Sequence, residues 1–408
     1  MSAIGYVLPT PKVKINLTTW DKDAGLTESP TGRAIDLFLG MLFIVRVVIP
    51  GTNFYVGDAA ILLLILFSLW RSAPLAGRLS SLYTTAVSIM LAYLALTSFL
   101  NDISFVKRAA KIAILLVLAG FVGTGRINVV QVIRGLGIGL LINIPIYLLH
   151  LTPDYYPGCL TGLIADKNVA GLYYAAGTLL MMMITRGKFA RFVVFALGAY
   201  GVALTLSRTS LAALAFALVW LFLSRRAGFV AKLVYLGIVT FGYQFLESKY
   251  STVGFFADRV GSDALRSRID AATFASVSTT PWYGKGLGTA TVLVNDHPFF
   301  FHNSYAALYV EGGVVVIGLA LVSYAVFGLR VFGKPPFTSS EMYLQAASVV
   351  VLVSATRLGE VFFTMPSLLI IGAAMQTAAR RRQAKLAAKN DQSNPSGETD
   401  SAVLTELN

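Results

Sequence analysis

His302 is the side chain whose chemistry is easiest to name. It stands in HPFFFHNSYAALYVEGG, where a polar stretch gives way to an apolar run. A neutral imidazole, with an ordinary pKa near ~6.5, can take a proton from a hydroxyl; at such a boundary it also serves as an interfacial anchor. Two further places suit an anion. Arg208 lies in LTLSRTSLAALAF, in a tight turn between two strongly apolar stretches. It is either a guanidinium aimed at an anionic group, or a cation that snorkels to headgroups or caps the preceding helix. Arg266 and Arg268 lie in SDALRSRIDAATFASV. A planar guanidinium grips phosphate oxygens bidentately and keeps its charge. The alternative for either is a solvated helix face, with Arg266 paired to Asp270 one turn on.

The neighbours narrow the chemistry. Asn303 and Tyr305 are within a turn of His302, and Glu311, nine residues on, reads as a structural partner rather than a second catalytic group. In PWYGKGLGTA, Pro281 ends a helix and Gly284, Gly286 and Gly288 make a pliable turn. The segment lacks the GxxxxGK[ST] spacing, so a nucleotide phosphate loop is rejected. Asp21-Lys22-Asp23 has a metal–diphosphate spacing but falls in the N-terminal tail. The single cysteine, Cys159, excludes an intramolecular disulfide, and three histidines (His150, His297, His302) exclude the usual zinc sites. The outer segments hold no carboxylate pair at helical spacing, which argues against a glycosidase.

These groups must be positioned by a membrane bundle. Hydrophobic residues make up 56% of the 408 and charged residues only 13%, against about a quarter charged in soluble domains. The apolar blocks approach the ~20 residues that cross a bilayer. The expected fold is an all-α polytopic bundle of about twelve spans, near 34–50, 54–70, 80–98, 109–124, 128–149, 168–185, 190–206, 209–224, 229–246, 304–329, 340–356 and 358–376. Short connections bearing Arg71, Arg78, Arg126, Arg186, Arg191, Arg225 and Arg330 mark the cytoplasmic side, and both termini fall there. The expected organisation is a tail at 1–33, nine spans within 34–246, a large periplasmic loop at 247–303 carrying an amphipathic helix capped by Ser262, three spans within 304–376, and a basic, then disordered tail at 377–408. Leu265, Ile269, Ala272 and Val277 form that helix's apolar face. The net charge of +13 fits membrane lipids better than nucleic acid. Arg46, Arg134 and Asp58, inside expected spans, face the bundle interior or snorkel. No internal repeat of the transporter kind is visible.

The order of the motifs resembles the O-antigen polymerase and O-antigen ligase family (the Wzy and WaaL proteins) and related exopolysaccharide polymerases. An SRTS-type turn comes first, then an arginine-bearing outer helix leading to a Pro…GxGxG turn, then HNSY…EGG entering a span. LTGLIADKNVAGLYYA resembles the family's segment in which an acidic residue and Asn open a helix, here Asp166 and Asn168. The resemblance implies glycosyl transfer, independent of metal or cofactor, at the periplasmic face of a bacterial inner membrane. The donor is a glycan on undecaprenyl diphosphate; the acceptor is a sugar hydroxyl on a glycan or on lipid A-core. Chain-length regulators or other pathway proteins are the implied partners. Arg208 and one loop arginine hold the diphosphate, and His302 is the base of an inverting attack. Arg268 best matches the loop position, although a shortened spacing and Ala272 in place of the usual tryptophan keep Arg266 in play. A polymerase leads, a ligase differs only in acceptor, and a carrier or flippase of the same lipids is the reading from another class.

Overall fold

The computed structural model describes residues 33–393 apart from Asn53 and residues 251–259. Asp21-Lys22-Asp23 and the tail from residue 394 therefore lie outside the described residues. Thirteen α-helices stand among the described residues: α1 Ala34–Leu42, α2 Val56–Ser68, α3 Arg78–Leu100, α4 Val106–Gly123, α5 Val129–Leu148, α6 Lys167–Ile184, α7 Lys188–Leu204, α8 Arg208–Ser224, α9 Phe229–Tyr250, α10 Val260–Ser278, α11 Ser304–Ser323, α12 Ser339–Ser354 and α13 Met365–Ser393. A hairpin, β1 Thr291–Val294 with β2 His297–Phe300, is antiparallel with Val294 opposite His297. Its turn residues, Asn295 and Asp296, both have positive φ, the two-residue turn that suits twisted strands.

A helix occupies each expected span position. By length and composition, α3, α5 and the segment Ser304–Gly328 can cross a membrane, so the chain is a mainly helical integral membrane protein. Two expected spans are cut short. The first helix stops at Leu42 after 9 residues, a rise of about 14 Å, and extended backbone follows, with Val48 bridging Tyr55. Its residues Val45, Val47, Val48 and Ile49 are β-branched, and Pro50 disfavours helix in the residue before it. Arg46 is thereby outside any helix; its N–H donates to the Leu163 carbonyl at 2.8 Å, and its guanidinium lies over the Tyr55 ring. The last helix starts at Met365, because 355–364 form a turn, and it continues through Arg380–Arg382 to Ser393. In the outer helix, Ser262 is no cap: α10 begins at Val260.

The helices pack into one core. α1 lies on α5, where a Cβ at Gly135 or Gly139 would collide with the Leu37 or Met41 carbonyl. Small residues allow that backbone approach where no hydrophobic effect drives helices together. α12 packs on α8 and α6, and α13 on α4. Two ends are then defined. At one, Leu160 N–H donates to the Leu204 carbonyl (2.8 Å) and Ser304 N–H to the Ala355 carbonyl (2.8 Å). At the other, Phe337 N–H donates to the Arg225 carbonyl (3.2 Å). That last bond joins the final end of α8 to the start of α12, so Arg208 and Ser354 lie at the same level at the His302 end.

Candidate functional site

The SRTS turn is built almost entirely from its hydroxyls. Thr205 donates to the Val202 carbonyl (2.6 Å), and Ser207 caps α8 by accepting from the Ser210 N–H (3.4 Å). Thr205, Ser207 and Ser210 are buried. Leu206 between them has φ +50°, a left-handed conformation costly for leucine. Gly171 of α6 meets Ser207 and Ser210, with no room for a Cβ. So fixed, the turn places the partly exposed Arg208 at the first residue of α8. The N–H groups of that turn carry partial positive charge, which disfavours a cation and favours an anion.

HNSY is a helix start stitched to a neighbouring turn. Asn303 caps α11, accepting from the Tyr305 and Ala306 N–H groups at 2.9 and 3.1 Å. The buried Ser304 hydroxyl donates to the Leu358 carbonyl and accepts from the Val361 N–H (3.0 Å). Tyr305 donates its hydroxyl to the Leu352 carbonyl (2.8 Å), and Gly359 packs against the Phe301 carbonyl. Ser304 and Tyr305 thus tie the 355–364 turn and the residues just before it to the helix start beside His302. The turn carries Arg357, whose guanidinium pairs with Asp270 of α10 at 2.8 Å.

His302 itself is partly buried, and its Nδ1 has no hydrogen-bond partner among the described residues. Its pKa lies below the ordinary histidine value: burial disfavours the imidazolium first, Arg266 and Arg357 add to this, and Asp270 and Asp166 oppose it. Burial and the two cations thus favour the neutral imidazole. Arg266 is half-buried whereas Arg268 is exposed; Arg266 is the one of the pair whose charge acts on His302, and it also acts on Tyr156. Asp270, the expected partner of Arg266, is engaged by Arg357 from a different element.

Asp166 and Asn168 open α6 as expected of them. Asp166 accepts from the N–H groups of Asn168 and Val169 at 2.8 and 2.9 Å, and from the Tyr156 hydroxyl at 3.5 Å. Burial, then Asp166, pushes the Tyr156 phenol pKa up. The loop carrying Tyr156 is tied to α7 through Leu160 and Leu204, which brings Arg208, Tyr156, Asp166, Arg266 and His302 to the same end of the bundle.

Glu311 is a structural partner. It is buried and pairs with Arg108 of α4 at 2.9 Å, and it accepts from the Gly288 N–H at 3.0 Å. The helix breaks beside it, at Gly313 with φ +61° and ψ −160°, a conformation essentially restricted to glycine. The freed backbone groups are met by the PWYGKGLG turn. Lys285 and Gly286 N–H groups donate to the Val310 and Glu311 carbonyls (2.6 and 3.0 Å), and Val314 N–H donates to the Trp282 carbonyl (2.9 Å). Gly284 (φ +87°) and Gly286 (φ +101°) leave no room for a side chain against Gly313 and Ser98. EGG and GxGxG are two halves of one joint.

Sequence reasoning passed over Arg357, Arg108 and Glu360. Arg357 carried the same signal as Arg208, a lone arginine in a short turn between apolar helices at the same end. Arg108 pairs with Glu311 and lies 3.6 Å from Glu360, so the start of α4 with Lys107 and Lys111 also belongs to the His302 end. Among the described residues no three His, Cys, Asp or Glu side chains gather to hold a metal ion.

Residues 193–322 match the family model described as O-Antigen ligase, a stretch running from α7 through Arg208, α10 and His302 to the end of α11. No curated protein matches the chain. The resemblance carried by SRTS, the arginine helix and HNSY…EGG is thus supported independently: residues 193–322 of a helical integral membrane protein are similar to the O-antigen ligase family.

Proposed function

We propose that the chain is a membrane glycosyltransferase that moves a glycan from undecaprenyl diphosphate to a sugar hydroxyl at the periplasmic face of the inner membrane. The observation that carries this reading is a partly buried His302 whose Nδ1 has no partner among the described residues and whose pKa is lowered by burial, Arg266 and Arg357, within the segment matching the O-antigen ligase family. A neutral imidazole takes the proton from the acceptor hydroxyl. The acceptor oxygen forms a bond to the anomeric carbon as the bond to the phosphate oxygen breaks on the opposite face, so the configuration inverts. The diphosphate leaves with the electron pair. Arg208, at a helix N-terminus suited to anions, and Arg266 stabilise it, standing where other glycosyltransferases use a divalent metal. Arg266 ranks above Arg268 here, because Arg268 is exposed and Arg266 is the one whose charge acts on His302.

Extension of a repeat-unit glycan is the leading form of the reaction. A ligase transferring finished glycan to lipid A-core is the second, favoured by the description of the matching family. Purified protein given only a lipid-diphosphate oligosaccharide separates them. Growth of longer glycans supports the polymerase; growth only after lipid A-core is added supports the ligase. Translocation of an intact donor, with no glycan transferred under either condition, contradicts both and leaves a flippase.

A further inference from the structure

The 355–364 turn is held with more bonds than a connection between two helices needs. Ser304 alone engages it at Ala355, Leu358 and Val361, Tyr305 fixes Leu352 just before it, and Gly359 lies on the Phe301 carbonyl. Every one of these partners belongs to the FHNSY run around His302. The turn that carries Arg357 is therefore tied through its backbone to the run that carries His302. The Arg357 guanidinium meets Asp270 across the gap to α10 at 2.8 Å, with both side chains more than a third exposed. Asp270 lies one helical turn beyond Arg266 on the same helix. Two arginines from two elements, and the carboxylate that one of them holds, thus all act electrostatically on His302.

A partly exposed ion pair of this kind contributes little to folding. A phosphate group, however, bears more charge than a carboxylate and competes with it for a guanidinium. We propose that Arg357 is a diphosphate-binding residue, parked on Asp270 until the anionic group of a polyprenyl diphosphate takes the carboxylate's place. This deepens the proposed function and rests on it: the substrate class is the same, and Arg357 joins Arg208 and Arg266 as a third guanidinium on the leaving group. Asp270 acts as a competing counter-ion that occupies the Arg357 guanidinium when the donor is absent.

The two partners then have opposite effects, which a merely structural latch would not give. The test is equilibrium binding of undecaprenyl diphosphate, without glycan, to the full-length protein in detergent micelles. Arg357→Ala weakens binding by about tenfold or more, as loss of a charge-assisted contact requires, and Arg357→Lys recovers part of it. Asp270→Asn removes the competitor and tightens binding several-fold. If Arg357→Ala and Asp270→Asn weaken binding alike, the pair is only a structural latch and the inference is overturned. Unchanged binding in Arg357→Ala overturns it as well. If the wild-type protein does not bind undecaprenyl diphosphate while remaining monodisperse, the functional reading fails first and takes the inference with it. Should Arg357→Ala fold poorly, the sign of the Asp270→Asn effect decides by itself.

Discussion

At the scale of single residues, the account turns on protonation and on fork geometry. His302 acts as a base only when neutral. Its pKa is lowered mainly by burial, so transfer activity should rise with pH along a limb lying below the ordinary histidine value of ~6.5 and then level off. Arg266 is the largest charge effect holding that pKa down. Removing the cation lets the imidazolium form more easily, so Arg266→Ala should shift the acid limb upward while Arg268→Ala leaves it in place. A pH–rate profile of the three proteins checks this, and an identical limb in all of them would contradict the placement. Arg208→Lys keeps the charge but loses the planar fork. Activity of that variant should still fall by an order of magnitude or more, with protein levels normal; wild-type polymer from Arg208→Ala cells would reduce the residue to a headgroup anchor.

At the scale of elements, the structure explains why a glycine pair follows Glu311. The α11 helix is broken at Gly313, and the loop turn from Trp282 to Gly286 supplies the hydrogen bonds that the break frees. Unsatisfied backbone groups in a bilayer cost several kcal/mol each, so break and turn must form together. Gly313→Ala adds a Cβ into the Trp282 carbonyl at a glycine-only conformation. It should destabilise the protein by about 2 kcal/mol or more, seen as a lower melting temperature in detergent. Gly318→Ala, on the same helix with open space around it, should leave the melting temperature within a few degrees of wild type. Much of this level was legible beforehand. Hydropathy located twelve helices, and SRTS and HNSY stand at one end of the bundle, as their order implied. Three features were hidden. The stop at Leu42 and the unwound Arg46 depend on β-branched residues that hydropathy counts only as apolar. The docking of GxGxG onto EGG is a contact between segments about thirty residues apart, with no periodicity to announce it. Arg357 was masked by its apolar flanks, and its pairing with Asp270 spans 87 positions.

At the scale of the whole molecule, the chain gathers cations at both ends for different reasons. The end defined by Arg225 and Phe337 carries the Arg330, Arg381 and Glu341 cluster; Glu341 is buried and accepts from Arg381 at 2.9 Å. The His302 end carries Arg108, Arg208, Arg266 and Arg357, and two of these are met by Glu311 and Asp270. A bundle that only crossed a membrane would have little use for so many guanidinium groups at the second end, and an anionic substrate group gives them one. The most direct test of that claim is reconstitution of the purified protein in liposomes with an undecaprenyl-diphosphate oligosaccharide, a suitable acceptor and EDTA. The account predicts a new, inverted glycosidic bond and one undecaprenyl diphosphate released for each bond formed, both abolished in His302→Gln although that variant still binds the donor. Donor recovered with its glycosidic bond intact, or transfer by His302→Gln at the wild-type rate, would contradict it.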